Sequence, residues 1–199
     1  PVKDLNDFFM KAQILNYDQY RAMQEGYNNH MWDWYTGMLL WKNQNPWTAL
    51  KGQMYDWFLD QNACYFGYRH AAAPIHCQYN PADSLIYLIN ASPREKKNMR
   101  VEALLTDPSG TLLWSATDDT EAGANTVVKK WKVDFSKTVS PVNFLRLKIT
   151  YTSTGEMIDD NTYWIPADQS DYSKLFDLPY TDVSLAILKK SGNKYSVEI

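Results

Sequence analysis

The residues best suited to chemistry stand together at the end of an apolar run, where Gly37-Met38-Leu39-Leu40 leads into Trp41-Lys42-Asn43-Gln44-Asn45-Pro46-Trp47-Thr48. The two indoles offer flat apolar surface, while Lys42, Gln44 and Asn45 supply hydrogen-bond donors and acceptors. That mixture fits a pyranose ring edged with hydroxyls. A short apolar run after a glycine also fits a strand covered on both faces. Two readings therefore stand side by side, core packing or the wall of a binding site. On the second, Trp41, Lys42, Gln44, Asn45 and Trp47 are the substrate-binding candidates.

Glycosidic hydrolysis usually needs a pair of carboxylates about 5 to 9.5 Å apart. Asp18 and Glu25 fall on a helical stretch, and Asp33, Asp56 and Asp60 flank loops; all five read as solvated or capping residues. Glu95, Glu102, Glu121, Glu156 and Glu198 alternate with polar neighbours and read as the wet face of strands. Asp118, Asp119 and Glu121 form an acidic loop, and Asp159-Asp160 sits beside Asn161, but neither has the spacing of a calcium loop. His30, His70 and His76 are too dispersed for a metal trio and suit surface or interdomain hydrogen bonds. Cys64 and Cys77 make neither a disulfide framework nor a four-ligand zinc site, and no strand-to-helix elbow presents a nucleophile. No catalytic residue, metal site or cofactor is expected within the chain.

The elements that must position these residues fall into two kinds. Asp4 is placed to cap a long helix whose apolar positions Leu5, Phe8, Phe9, Ala12, Leu15, Tyr20, Met23 and Tyr27 have helical spacing, so that face is expected to be buried. Gly37 to Trp41 reads as a strand. Gln53 to Ala72 reads as a second helix, with Asp60-Gln61-Asn62 as a possible interruption. After Pro74 the pattern changes to seven short strands: Ile75 to Tyr79, Leu85 to Asn90, Met99 to Leu105, Thr111 to Ser115, Thr126 to Val133, Asn143 to Tyr151 and Met157 to Trp164. Period-two alternation places Val101, Ala103 and Leu105 on one face, likewise Val127, Lys129, Trp131 and Val133, and sets Phe144, Arg146, Lys148 and Thr150 against Leu145, Leu147, Ile149 and Tyr151. Asp107-Pro108-Ser109-Gly110 and Ser153-Thr154-Gly155 carry turn chemistry.

The expected organisation is an α/β segment over 1–73, an all-β immunoglobulin-like sandwich over 74–166, a linker over 167–181, and over 182–199 the first hairpin of a further β-domain turning at Ser191-Gly192-Asn193. The chain is expected to be predominantly β. Its 199 residues carry a formal net charge of -3 with both signs interspersed, so no basic stripe exists for nucleic acid. No apolar run has the length of a membrane span. Eight Trp and fourteen Tyr exceed what a core of this size requires, and both sugar sites and protein interfaces use such rings.

The motif continues into Gly52-Gln53-Met54-Tyr55-Asp56, Leu59-Asp60-Gln61-Asn62, Tyr65-Phe66-Gly67 and Pro74-Ile75-His76-Cys77-Gln78-Tyr79. Together with Asn161-Thr162-Tyr163-Trp164 and Leu178-Pro179, these residues resemble glycoside hydrolase family 2, in its branch of mannosylglycoprotein endo-β-mannosidases and exo-β-D-glucosaminidases. The Trp-Lys-x-Gln-Asn-Pro-Trp-Thr wording is more similar to the endo-β-mannosidases. The resemblance implies β-domains around a (β/α)8 barrel, with Asp4 to His30 as the seventh barrel helix, Leu39 to Trp41 as the eighth strand and Gln53 to Ala72 as the eighth helix. Trp41 would floor the sugar subsite, Lys42, Gln44 and Asn45 would line the cleft, Trp47 would support the loop, and the Trp41-Lys42 peptide would be cis. Both catalytic glutamates of the family would lie upstream of residue 1.

The resemblance further implies an inactive piece of a retaining β-glycosidase that meets β-linked mannose- or glucosamine-containing glycans through the whole enzyme, at a periplasmic or extracellular location. Ala73-Pro74 stands where the family often has Glu-Pro. Unpartnered barrel elements are expected to dock onto the sandwich, self-associate or be partly disordered. The rival reading is a non-catalytic sugar-binding or scaffolding module, favoured if the sandwich exposes a row of aromatics and disfavoured if Trp114, Trp131 and Trp164 are buried.

Overall fold

The structure is a computed structural model and describes residues 2–47, 53–168, 171–192 and 194–198. Thr48, Gly52, Asn193 and Ile199 of the sequence reading lie outside the described residues.

Seven strands form after Pro74: β1 Ile75–Asn80, β2 Leu85–Asn90, β3 Lys96–Thr106, β4 Leu112–Ala122, β5 Thr126–Lys132, β6 Val142–Tyr151 and β7 Met157–Pro166. They make two antiparallel sheets, a three-stranded one ordered β1-β2-β5 and a four-stranded one ordered β4-β3-β6-β7. Period-two patterning drives their pairing: Val101, Ala103 and Leu105 on β3 and Leu145, Leu147 and Ile149 on β6 all point inward and are fully buried against Cys77, Ile86 and Leu88. Asp107 closes the β3-β4 hairpin by accepting from the amides of Ser109 and Thr111, both at 2.9 Å, and Gly110 takes φ +84°. Gly155, at φ +71°, plays that part between β6 and β7.

Two sequence expectations change within the sandwich. Strand β4 continues past Ser115 to Ala122, so Asp118, Asp119 and Glu121 lie on a strand rather than in a loop. Cross-strand charge explains why: Arg100 holds Asp119 at 2.7 Å, and Lys130 pairs with Asp118. On β5, Val127, Lys129, Trp131 and Val133 do not share one face. A register shift opposite Leu85 and Tyr87 turns the strand, so Val128 and Trp131 pack on the sandwich core while Val127 packs on the other side.

Helix α1 spans Leu5–Asn29, and the Asp4 carboxylate accepts from the Asp7 amide at 2.9 Å. Helix α2 spans only Ala63–Ala71, capped by Asn62, whose side chain accepts from the Cys64 amide at 3.0 Å. The expected start at Gln53 fails because Asp56 takes the amides of Phe58 and Asp60, at 2.8 and 3.0 Å, into a turn, with Leu59 at φ +68°. The two helices lie close together: an alanine Cβ at Gly67 would stand 2.2 Å from the Tyr17 carbonyl oxygen.

The buried stripe of α1 is the polar one. Arg21, Gln24, Glu25 and Asn28, at helical spacing, face the sandwich, whereas Leu5, Phe8, Phe9, Leu15 and Met23 are exposed. Strands β1 and β2 are accordingly covered on both faces, with polar His76 and Gln78 turned toward α1. Gly37 to Trp41 forms no strand, and Leu39 is 98% exposed. A parallel strand needs lateral partners for its amides and carbonyls. That segment pairs with none of the sheets formed by the described residues, and the expected barrel strand does not form.

Within 167–181, a short 3-10 helix, Ser173–Asp177, returns toward α1, and the Lys11 ammonium sits 5.6 Å from the Phe176 ring centre. A separate hairpin, β8 Ala186–Ser191 and β9 Lys194–Glu198, follows. No helix among the described residues is long and apolar enough to cross a membrane.

Candidate functional site

The loop that carries the candidate residues is built by backbone bonds rather than a sheet. The Tyr55 amide donates to the Asn43 carbonyl at 3.0 Å, Gln44 and Tyr55 form an isolated parallel bridge, and the Gln53 side-chain amide donates to Asn45 Oδ1 at 2.8 Å. The chain turns at Lys42, held at φ +67°, a region costly for a side chain with a Cβ. The described residues contain no cis peptide, so the expected cis bond at Trp41-Lys42 is replaced by this left-handed turn.

Of the five candidates, Asn45 and Trp47 come together. They line a groove of about 580 Å³ with Phe8 and Phe9 of α1 and with Tyr55, Trp57 and Phe66. Trp47 is 64% exposed there and offers an open ring face. Trp41 is 88% exposed and lines no part of the groove; Lys42 and Gln44 are likewise exposed and apart from it. Asp56 and Asp60 also border the groove, but Asp56 already accepts two backbone amides and serves as the staple of its loop. The groove has the aromatic and amide chemistry to hold a sugar ring.

The most elaborate polar arrangement lies elsewhere, between α1 and the sandwich. Glu25 is 6% exposed, which overturns its reading as a surface residue. Its Oε1 accepts from the Tyr163 hydroxyl at 2.6 Å and faces His76 Nε2 at 3.3 Å and the Asn161 side-chain amide at 3.3 Å. His76 Nδ1 faces Asp159 Oδ2 at 2.9 Å, and the same oxygen accepts from the Cys77 amide at 2.9 Å. Burial opposes charge on His76, but hydrogen bonds to Asp159 and Glu25 outweigh it and push its pKa up to about 9. Burial raises the Tyr163 phenol well above its usual range, and Glu25 adds to the effect.

Arg21 lies over the Tyr163 ring at 4.2 Å, pairs with Asp18 and donates to the Thr162 carbonyl at 2.7 Å. His70 links Tyr17, at 3.0 Å, to the Asp160 carbonyl, at 2.6 Å. The sequence expectation of interdomain hydrogen bonds thus describes His70 and His76, while His30 stacks on Trp34 with ring centres 3.9 Å apart. The signal for the buried role of Glu25 was present in the sequence, as a polar 21, 24, 25, 28 stripe with the period of a helix.

A cavity of about 590 Å³ borders this cluster, lined among others by Asp18, Arg21, Glu25, Tyr79 and Tyr163. Asp18 and Arg21 pair with each other there, and Glu25 is held by Tyr163 and His76. The free thiols are equally quiet: burial pushes Cys64 up to about 11 and Cys77 higher still. Among the described residues no three His, Cys, Asp or Glu side chains are arranged so that they could hold a metal ion.

No family model matches the chain. It is nevertheless similar over nearly its whole length to the mannosylglycoprotein endo-β-mannosidase of Lilium longiflorum, with 35% identity over 204 residues, covering 98% of this chain and 21% of that protein. The exo-β-D-glucosaminidase of Streptomyces avermitilis is 29% identical over 203 residues, covering 98% of this chain and 22% of that protein. Among solved structures, the exo-chitosanase CsxA of Amycolatopsis orientalis matches with a TM-score of 0.86 at 25% identity, covering 96% of this chain and 25% of that one. The chain thus spans about a fifth of the length of the curated relatives it matches. Its homologues are glycosidases, named for β-mannoside and β-glucosaminide hydrolysis.

Proposed function

We propose that this chain is a non-catalytic part of a glycoside hydrolase family 2 enzyme that cleaves β-mannosidic linkages with retention, the nucleophile and acid/base glutamates being supplied by polypeptide outside residues 1–199. The observation that carries the reading is the 35% identity to the endo-β-mannosidase across 98% of the chain, against 29% for the glucosaminidase. The groove agrees with it, since Trp47 and Asn45 stand there as an aromatic platform beside an amide.

In this reading the exposed apolar residues of α1 and of 39–66 face the rest of the enzyme, which would supply the lateral strands that Gly37 to Trp41 lacks. Contact with that partner surface would order Trp41, Lys42 and Gln44 around the sugar. In its absence the same surface favours self-association. The experiment measures kcat/KM of the longer polypeptide on β-mannosides and β-glucosaminides. Preference for the mannoside supports the proposal, and preference for the glucosaminide transfers it to the exo-β-D-glucosaminidase reading, which the CsxA match favours. A sugar-binding sandwich module has less support: Trp114 and Trp131 pack against the sandwich core and Trp164 lies against Tyr17, so they form no open row.

A further inference from the structure

The imidazole of His76 has a carboxylate on each side. Nδ1 faces Asp159 Oδ2 of β7 at 2.9 Å, and Nε2 faces Glu25 Oε1 of α1 at 3.3 Å, with the ring fully buried. A neutral imidazole has one N–H and could satisfy only one of two anionic acceptors; the protonated ring donates to both. The neighbours fix the carboxylates in place. Asp159 is tied to the Cys77 backbone amide, and Glu25 to the Tyr163 hydroxyl, which itself accepts from the Tyr79 amide at 3.0 Å.

The charged and titratable groups around the ring come from every element packed on it. Helix α1 contributes Glu25 and Arg21, α2 contributes His70 with its ring centre 6.2 Å away, β1 contributes Cys77, β7 contributes Asp159 and Tyr163, and Lys130 of β5 acts on Cys77 from farther off. Arg21 is already committed to Asp18 and the Thr162 carbonyl. Without a proton on His76, two buried carboxylates would face each other across the ring without a cation between them.

We propose that His76 is held as an imidazolium that clamps Glu25 of α1 to Asp159 of the sandwich, making the docking of this helix on the β-domain a proton-dependent latch that loosens in alkali. The sign follows from a raised folded-state pKa. The clamp contributes its full stability below pH 6.5 and loses it as pH rises through about 9, a change of about 300-fold in the folding equilibrium.

The test uses the 199-residue chain. Nitrogen-detected NMR of labelled histidine is expected to find protons on both ring nitrogens of His76 at neutral pH, with deprotonation near pH 9. Urea unfolding across pH 6 to 10 is expected to lose stability over that interval in the wild type and to be flat there in His76→Gln, which keeps one donor but cannot titrate. Glu25→Gln, with one anion removed, is expected to lower the NMR midpoint, and this holds even if His76→Gln fails to fold. A single protonated ring nitrogen at neutral pH, a His76 midpoint at or below 6.5, or an unchanged alkaline loss in His76→Gln would overturn the proposal.

Discussion

Alanine at Gly67 and alanine at Gly26 will have opposite effects, although both glycines lie inside helices. At Gly67 the new Cβ would stand 2.2 Å from the Tyr17 carbonyl oxygen and 3.0 Å from its carbon. The obstacle is backbone, so no rotamer change relieves it, and α2 must move about 1 Å from α1 to reach ordinary contact. Overpacking of this kind costs about 1–3 kcal/mol, of which the better helix propensity of alanine returns at most about 1 kcal/mol. At Gly26 nothing lies within 4 Å of the new Cβ, so only the propensity gain remains. For a chain of this size 1 kcal/mol moves Tm by about 2–4 °C. Thermal unfolding followed by circular dichroism is therefore expected to show Gly67→Ala lowered by up to about 8 °C and Gly26→Ala raised by about 2–4 °C. Equal stabilisation of both variants would refute the close approach of α1 and α2.

Further outcomes follow from the same contacts. Asp4→Ala removes the acceptor for the Asp7 amide and is expected to cost about 1 kcal/mol, read as a Tm loss. Leu147→Ala empties a fully buried site on β6 and is expected to cost about 2–5 kcal/mol in urea unfolding. Tyr163→Phe leaves Glu25 and the Tyr79 amide without their shared hydroxyl and is expected to cost about 1–3 kcal/mol. Combined with Glu25→Gln, the loss is expected to be less than additive. Trp47→Ala, exposed in its groove, is expected to change stability by under about 0.5 kcal/mol and to lower kcat/KM of the longer enzyme by roughly tenfold, about 1.4 kcal/mol.

The sandwich was the most legible part of the chain, because its strands carry their own period and find their partners within the sequence. All seven appear near their expected positions. The bulge in β5 was not legible, since the Val127 to Val133 alternation looks regular until the facing strand is known. On α1, Asp4 announced the start of the helix, but hydropathy pointed to the wrong buried face. Apolar residues such as Phe8 and Leu15 stay exposed, while Arg21, Glu25 and Asn28 are buried because β1 and β7 meet them with matching polar groups. In the Trp41 to Trp47 segment the sequence showed the aromatic and amide side chains but not their placement, since only Asn45 and Trp47 of the five candidates line the groove. The expected strand was not realised: Gly37 to Trp41 joins none of the sheets formed by the described residues.

Activity of the 199-residue chain alone, set beside that of the longer polypeptide carrying it, tests the central proposal most directly. Each is incubated with a β-mannoside at equal molar concentration and the released sugar is quantified. The expected result is turnover by the longer polypeptide with retained anomeric configuration and none by the 199-residue chain. Hydrolysis by the 199-residue chain at a comparable rate would contradict a catalytic pair lying outside it.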